Sequence, residues 1–227
     1  MEILYSDEHI LVVYKPAGLP VLPDGWENDA PYLVKILEEE FGRVFIVHRL
    51  DKTTSGVMVF ARTAAAHRAL NMQFEAHEAE KVYHAILEGN PNWNEKAAKH
   101  SLLADVGKKH RTVVNDQKGK PSETGFRILK RYQSSALVEA KPMTGRTHQI
   151  RVHASALGHP LLGDVLYGAS ETDLIHRPAL HAHTLTITHP ETKERLTFKA
   201  ERPEDFVGAL ERLGVGNDSP DMVSFAR

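Results

Sequence analysis

The sequence of 227 residues contains no cysteine. Disulfide bonds, thiolate nucleophiles and cysteine-based zinc sites are therefore excluded. No run approaches the roughly 20 apolar residues that a membrane-spanning helix needs. The first residues carry acids where a signal peptide needs basic side chains. From these absences we expect a cytoplasmic protein that acts away from membranes.

A positive net charge is also absent. The formal net charge is −2 at pH 7, so any RNA-binding surface must come from a local cluster of basic residues. Hydrophobic residues make up 41% of the chain and charged residues 26%, which is typical of a folded globular protein. There is no internal repeat and no coiled-coil heptad pattern, so we expect a monomer. We expect one domain over residues 1–213, followed by a loose tail over 214–227.

Strand patterns outnumber helix patterns along the chain. Short β-branched and apolar runs predict strands over residues 3–5, 10–14, 44–47, 57–60, 81–87, 125–132, 136–140, 180–188 and 195–199. Helical patterns cover residues 31–41, 63–79, 147–157 and 202–213. Because strands and helices do not alternate strictly, the order predicts an α+β fold with a largely antiparallel sheet.

The first segment that could carry chemistry is His48-Arg49-Leu50-Asp51. It follows an apolar strand, so Asp51 lies just past a strand end, where functional sites are often built. The alternative is an exposed loop that carries a solvated ion pair.

The second segment runs from Thr144 to His153. Between Lys141 and Pro160 there are three Lys or Arg, three His and no acid. A positive helix start suits a phosphate or a buried carboxylate, and we expect Thr147 and Arg151 to share a helix face. The alternative is a surface helix with ordinary basic residues. Its histidines lack the carboxylate or close spacing of a zinc site, so we expect no metal.

The third segment is the predicted strand that contains Lys81 and Tyr83. Strand alternation places these two side chains on one face. A tyrosine there either packs in the core, or stacks on an unpaired base and assists proton transfer through its hydroxyl.

A basic run extends from Lys96 to Arg131. Its members are Lys96, Lys99, Lys108, Lys109, Arg111, Lys118, Lys120, Arg127, Lys130 and Arg131. In a chain of slightly acidic balance this clustering favours a surface that faces phosphates, with Lys108, Lys109 and Arg111 as candidate contacts. A solvated loop and sheet edge is the alternative.

Together these segments resemble the RluA-type family of RNA pseudouridine synthases. The matching pieces are KPAG at 15–18, HRLD at 48–51 with TSG at 54–56, KVYHA at 81–85, TGRTHQIRVH at 144–153, GHPLLGD at 158–164 and LHA at 180–182. They occur in the family's order from about residue 2 to 206. The first motif begins too early to leave room for the S4 RNA-binding module of many relatives, so we expect a single catalytic domain.

The resemblance implies the pseudouridine synthase fold and the isomerisation of a uridine in ribosomal or transfer RNA. It implies that Asp51 is the catalytic carboxylate, that Arg151 is its cationic partner and that Tyr83 packs on the target base. No metal or organic cofactor is implied. Whether Asp51 attacks the sugar, attacks the base or assists departure of the base stays open.

The same resemblance implies roles in substrate binding. Arg49 is similar to the residue that fills the gap left by the extruded nucleotide, because the reacting atoms are inaccessible within a stacked helix. Leu180 is expected to pack around the base. We also expect Arg146 and His148 to contact the substrate.

Two other functions compete with this hypothesis. A non-catalytic RNA-binding protein on the same fold needs a basic groove but no acid within it. A hydrolase that uses Asp51 needs a metal-ligand cluster or a Ser-His-Asp arrangement. The 14 histidines are scattered and no Gly-x-Ser-x-Gly element is present, which disfavours the hydrolase.

Overall fold

The structure is a computed structural model that describes residues 1–23, 30–108 and 110–214. The strands are β1 (Glu2–Ser6), β2 (Ile10–Lys15), β3 (Phe45–Ile46), β4 (Ser55–Ala61), β5 (Glu80–Glu88), β6 (Glu95–Val106), β7 (Arg111–Val114), β8 (Lys120–Arg131), β9 (Ser135–Pro142), β10 (Leu180–Thr188) and β11 (Arg195–Lys199). The α-helices are α1 (Leu33–Phe41), α2 (Ala64–Glu75), α3 (Gln149–Ala156) and α4 (Glu204–Gly214), and Val165–Tyr167 forms one 3₁₀ turn.

The strands of the described residues form a single sheet. Nine of them run in the order β1-β2-β4-β10-β5-β9-β8-β6-β7, while β11 pairs with β10 and β3 with β4. The β4–β10 pair is parallel and the other pairs are antiparallel. This confirms the predicted α+β class with a largely antiparallel sheet.

The parallel pair joins the two halves of the sheet and depends on a glycine. Gly56 lies opposite Ala182 in the β4–β10 register. Its φ of +126° lies in the region that favours glycine, and a Cβ at this position would lie 2.1 Å from the Ala182 carbonyl oxygen. The glycine of the TSG motif therefore allows β10 to approach the segment that follows Asp51.

Each half of the sheet is covered by its own helices. The side chains of β2 and β4 pack with α1 and α2 in one core, whose centre includes Leu11, Phe60 and Leu70. Strands β5, β6, β8 and β9 pack with α3 in a second core that includes Phe126 and Ile150. The two cores meet at the middle of the sheet, where β5 and β10 lie side by side.

Helix boundaries differ from the predictions at their ends. Thr63 is the N-cap of α2, and its side chain accepts from the Ala66 N–H, but the helix ends at Glu75 rather than near 79. The predicted strand at 44–47 is only the two-residue β3. The basic stretch left unassigned between 96 and 120 forms β6 and β7.

The predicted C-terminal tail overlaps the structure at one residue. Gly214 is the last residue of α4, and 215–227 lie outside the described residues, so the loose tail stays a prediction. Among the helices of the described segments, none has the length and apolar character needed to cross a bilayer.

Candidate active site

A cavity of about 770 Å³ opens where the two halves of the sheet meet. One wall is the loop that follows β3, the other is the start of α3, and β5 and β10 contribute the floor. Seven predicted site residues line it: Arg49, Asp51, Tyr83, Arg146, His148, Arg151 and Leu180. The fold therefore brings together side chains that are up to 131 positions apart in the sequence, from Arg49 to Leu180.

The loop that carries Asp51, residues 48–54, is held by hydrogen bonds to its own backbone. The Lys52 carbonyl accepts from the Gly18 N–H at 2.8 Å, and the Asp51 carbonyl accepts from the Thr54 N–H at 3.0 Å. The Arg177 guanidinium donates to the Thr53 carbonyl at 3.2 Å. The loop is therefore ordered without using the Asp51 carboxylate, whose side chain stays 29% exposed to the cavity.

A buried lysine of the KPAG motif supports the same loop. Lys15 is fully buried, and its ammonium donates to the carbonyls of Pro16, Leu19 and Lys52 at 2.9, 2.7 and 3.1 Å. Burial lowers the pKa of Lys15 to about 8, and the negative charge of Asp51 opposes that shift. This cation therefore fixes the loop and adds a positive potential at Asp51, a role that the sequence analysis did not assign.

The direct partner of Arg151 differs from the one that the resemblance implied. Its guanidinium forms a bidentate ion pair with Asp164, through Nε–Oδ2 and Nη2–Oδ1 distances of 2.7 Å, and both side chains are buried. Burial acts to lower the pKa of Arg151, but the hydrogen bonds and charge of Asp164, with a further contribution from Asp51, raise it. Arg151 thus acts on Asp51 as a nearby charge rather than through this salt bridge.

The start of α3 is arranged by a buried amide. The Gln149 side-chain oxygen accepts from the Thr144 hydroxyl at 2.6 Å and from the Arg146 N–H at 3.0 Å. Helix α3 begins at Gln149, so the prediction that Thr147 and Arg151 share a helix face was wrong. The turn before the helix presents Arg146, which is exposed at the cavity rim.

His148 lies on the α3 wall, as the N-cap of that helix, and faces Asp51. Its Nε2 is 3.9 Å from Asp51 Oδ2, and its side chain is 18% exposed. Burial lowers the pKa of His148; Asp51 and Asp164 act in the opposite direction, and Arg151 reinforces the lowering. The imidazole is therefore neutral near pH 7, and it contacts the cavity with a ring that carries no net charge.

The floor of the cavity combines aromatic and apolar surface. Tyr83 is half-buried and Leu180 is buried. Burial, followed by the negative charge of Asp51, raises the pKa of the Tyr83 hydroxyl, so the phenol keeps its proton at neutral pH. Such a ring is suited to stacking on a base, and its hydroxyl is a donor rather than a ready proton acceptor.

A second lysine faces the cavity from β5. Lys81 lines the cavity, and its ammonium lies 5.9 Å from the centroid of the Phe74 ring. Burial lowers its pKa. The sequence placed Lys81 and Tyr83 on one face but assigned no role to the lysine.

Two of the three predicted phosphate contacts, Lys108 and Arg111, do not line the cavity. Lys108 is exposed in the turn between β6 and β7, and Arg111 is exposed at the first position of β7. Lys109 lies outside the described residues. Lys108 and Arg111 lie at the outer edge of the sheet, beside β7, so any contact of these two residues with RNA is separate from the pocket.

The described segments contain no group of three or more histidine or acidic side chains that could hold a metal ion. The supporting residues that sequence reasoning missed are Lys15, Asp164 and Tyr167. Lys15 and Asp164 belong to the KPAG and GHPLLGD motifs, and this membership was the signal in the sequence that could have identified them. Tyr167 stands in none of the quoted motifs, and only its contacts in the fold identify it.

Comparisons with known proteins agree with this geometry. The family model described as RNA pseudouridylate synthase matches residues 9–156. The dual-specificity RNA pseudouridine synthase RluA of Salmonella typhi is 42% identical over 206 residues, which cover 90% of this chain and 93% of that protein. The ribosomal large subunit pseudouridine synthase D of Zymomonas mobilis is 36% identical over 234 residues, which cover 96% of this chain and 74% of that protein.

Two solved structures are similar throughout. Human RNA pseudouridylate synthase domain containing 4 superimposes with a TM-score of 0.76 at 27% identity, covering 93% of this chain and 92% of the other. Human RNA pseudouridylate synthase domain containing 1 gives a TM-score of 0.74 at 31% identity, covering 89% and 83%. From the family match and the extent of these similarities, the chain belongs to the RNA pseudouridylate synthase family.

Proposed function

We propose that this protein isomerises a uridine within structured RNA to pseudouridine, with Asp51 as the catalytic carboxylate. The reaction breaks the bond between ribose C1′ and uracil N1 and forms a bond between C1′ and C5. The C5 proton is lost to water and N1 gains a proton, so atoms and electrons balance without a redox cofactor. The observation that carries the proposal is a partly exposed Asp51, held in a fixed loop within a cavity that combines buried cations and aromatic surface.

The surroundings of Asp51 suit a carboxylate that must act while ionised. Lys15 and Arg151 are buried cations whose pKa values respond to the Asp51 charge. A nearby positive charge favours the ionised carboxylate. An ionised Asp51 can attack the sugar, attack the base or assist departure of the base, and the three routes share this requirement.

We propose that the uridine reaches Asp51 by extrusion from its helix. Flipping a nucleotide out of a stack costs roughly a few kcal/mol, and it leaves a gap that another group must fill. Arg49 is exposed, lines the cavity and lies two residues from Asp51, which supports its insertion into that gap. Tyr83 and Leu180 then contact the flipped base, while Arg146 and His148 contact the substrate from the opposite wall.

The RNA class is proposed from the names of the relatives. One is named for dual specificity and another for the ribosomal large subunit. We propose ribosomal RNA as a substrate, with transfer RNA as the second class to test. Outside the pocket, Lys108, Lys109 and Arg111 are proposed to contact phosphates along the β6–β7 edge. We further propose that the protein is a cytoplasmic monomer. We also propose that it requires no metal ion, because the isomerisation needs no redox or Lewis-acid step.

Tritium release tests this function. Ribosomal and transfer RNA transcripts carrying tritium at uracil C5 are incubated with the protein, and tritium in water is counted. We expect release from at least one RNA class by the wild type and none by Asp51→Asn. RNA binding by the wild type with no release from total unmodified RNA of either class would instead support a non-catalytic RNA-binding protein.

A further inference from the structure

Tyr167 connects three parts of the molecule beside the cavity. Its hydroxyl oxygen accepts from the Thr112 N–H of β7 at 2.9 Å and lies 2.8 Å from Nδ1 of His148. Its ring lies against Arg151, with the guanidinium carbon 4.9 Å from the ring centroid. Its carbonyl accepts from the Ser155 hydroxyl of α3 at 2.7 Å. Tyr167 itself does not line the cavity, so its effect on Asp51 must pass through His148 or Arg151.

The hydrogen bonds of this hydroxyl select one tautomer of His148. A tyrosine hydroxyl has one proton to donate and can accept through its oxygen. The Thr112 N–H donates to the oxygen, and His148 Nδ1 is the acceptor that the structure places at hydrogen-bond distance for the hydroxyl proton. Burial raises the pKa of Tyr167 and lowers that of His148, so the first keeps its proton and the second is neutral. A neutral imidazole that accepts at Nδ1 must carry its proton at Nε2.

The selected tautomer directs a positive dipole towards Asp51. The protonated Nε2 lies 3.9 Å from Asp51 Oδ2, which is too long for a hydrogen bond but close enough for electrostatic stabilisation. In the other tautomer the Nε2 lone pair would face the carboxylate, and the tyrosine proton would lose its acceptor. Asp51 and Tyr167 therefore favour the same tautomer. The other charged groups that act on His148 are Arg151 and Asp164.

The backbone of His148 is held in a conformation that favours this arrangement. His148 has a φ of 54° in the left-handed region, which costs roughly 1–2 kcal/mol for a residue other than glycine. Its ring stands nearly perpendicular to that of Tyr167, at 80°. Strain of this kind persists where the surroundings hold it, and here it places the imidazole between Tyr167 and Asp51.

We propose that Tyr167 is a positioning residue, whose hydroxyl fixes His148 with the Nε2 proton directed at the Asp51 carboxylate. The inference rests on the proposed function for its catalytic consequence, but the tautomer itself does not depend on activity. The neutral imidazole stabilises the ionised Asp51 without adding a group that exchanges protons during the reaction. A tyrosine outside the cavity thereby sets the electrostatic surroundings of the reacting carboxylate.

Nitrogen-15 NMR of the imidazole tests the tautomer directly. The two ring nitrogens of His148 are assigned by comparison with His148→Gln, and their shifts report which one carries the proton. We expect Nε2 to be protonated in the wild type and both tautomers to be populated in Tyr167→Phe. A wild-type protein with the proton on Nδ1, or a Tyr167→Phe spectrum identical to the wild type, would overturn the proposal. If Tyr167→Phe does not fold, the wild-type tautomer decides it.

Kinetics separate positioning from a merely structural role. We expect Tyr167→Phe to lower kcat for tritium release about tenfold while KM stays within about twofold, as for the loss of one hydrogen bond that acts on a charged group. The matched control is Tyr5→Phe, which removes the hydroxyl bonded to Asp7 far from the cavity and should leave kcat unchanged. An unchanged kcat in Tyr167→Phe, or a loss confined to KM, contradicts the proposal. Wild-type protein without tritium release would refute the proposed function and leave the NMR result standing.

Discussion

The two walls of the cavity hold their charged groups by different means. The Asp51 loop is held through its own main-chain carbonyls, which accept from the Lys15 ammonium, the Gly18 N–H and the Arg177 guanidinium. The Arg151 wall is held by side chains that bond one another, above all Asp164. A change of side chain within the Asp51 loop itself therefore leaves its main-chain hydrogen bonds in place. The Arg151 wall depends on single atoms, so conservative substitutions there should have the larger effect.

The largest expected effect comes from Asp164→Asn. It leaves the buried Arg151 guanidinium without its carboxylate, and removal of one partner of a buried ion pair costs about 3–5 kcal/mol. We expect a loss of that size in the free energy of unfolding, measured by urea titration. The control is Glu80→Gln, which breaks the exposed pair between Glu80 and Arg195 and should cost less than about 1 kcal/mol. Equal losses in the two variants would contradict the role given to the Arg151 wall.

On the opposite wall, Lys15→Met is the sharpest substitution. It removes the donor for three carbonyls while keeping the length of the side chain, and we expect a loss of about 2–4 kcal/mol because each buried acceptor left unsatisfied is costly. Lys35→Met, on the exposed side of α1, should change stability by less than about 0.5 kcal/mol. If Lys15→Met is as stable as its control, the loop is held without the lysine.

On the floor between the two walls, substitutions of Tyr83 distinguish a stacking role of the ring from a proton-transfer role of the hydroxyl. If the ring stacks on the flipped base, Tyr83→Ala should weaken RNA affinity by about 1–3 kcal/mol, and Tyr83→Phe should retain most of that affinity and most of kcat. The RNA affinity follows from a binding titration of each variant, and kcat from tritium release measured over a range of RNA concentrations. Abolition of kcat by Tyr83→Phe would show that the hydroxyl takes part in the chemistry.

Two histidines with lowered pKa values, one in the Asp51 loop and one on α3, predict an acid-sensitive stability. Burial lowers the pKa of His48 to about 3 and that of His153 to about 4, whereas both have values near 6.5 when unfolded. Between pH 6.5 and 4 the unfolded chain therefore binds more protons. The free energy of unfolding should fall as pH falls through this window, by up to about 1.4 kcal/mol per pH unit for each histidine, and the contribution of these histidines should be constant above it.

A pair of histidine variants isolates this effect. His153 is fully buried and bonded to the hydroxyls of Ser122 and Thr124, so His153→Gln should reduce the pH slope in urea titrations. His176→Gln, at an exposed position, should leave the slope as it is in the wild type. The same slope in both variants would refute the assignment to buried histidines.

The smallest expected effects lie beyond the Arg151 wall, in the β6–β7 hairpin. If Lys108 and Arg111 contact phosphates, each change to alanine should lower the slope of log Kd against log salt by about 0.7–0.9. Lys193→Ala, in the turn between β10 and β11, is the control and should not alter the slope. Unchanged slopes in the hairpin variants would place the RNA surface elsewhere.

Local sequence patterns predicted the fold class and most of the strands, because alternation and β-branched runs report directly on a half-buried sheet. They failed where a feature was not local. Strand β6 faces solvent on one side. Lys99 and its neighbours therefore give this segment a basic composition, which does not show the apolar pattern typical of a strand. The left-handed conformation of His148 delays the start of α3, and no glycine stands at position 148 to indicate that conformation.

The sequence predicted which residues form the site, but not the hydrogen bonds and ion pairs that connect them. The motifs contained Asp51 and its neighbours, and the fold brings seven predicted site residues, Asp51 among them, into one cavity. The partner of Arg151 could not be read from spacing, because Asp164 reaches it only after the chain turns back beside α3. The contribution of Tyr167 required the fold as well, since it depends on bonds to two separate segments.

The proposed reaction depends most directly on the charge of Asp51. The test is to measure tritium release and RNA affinity on one preparation of Asp51→Asn, beside the wild type. This substitution removes the charge and preserves the shape of the side chain. The account predicts that release falls by at least about a thousandfold while the RNA Kd is improved or stays within about threefold, a difference below 1 kcal/mol. Release at a rate close to that of the wild type, from a variant that binds RNA equally well, would contradict it.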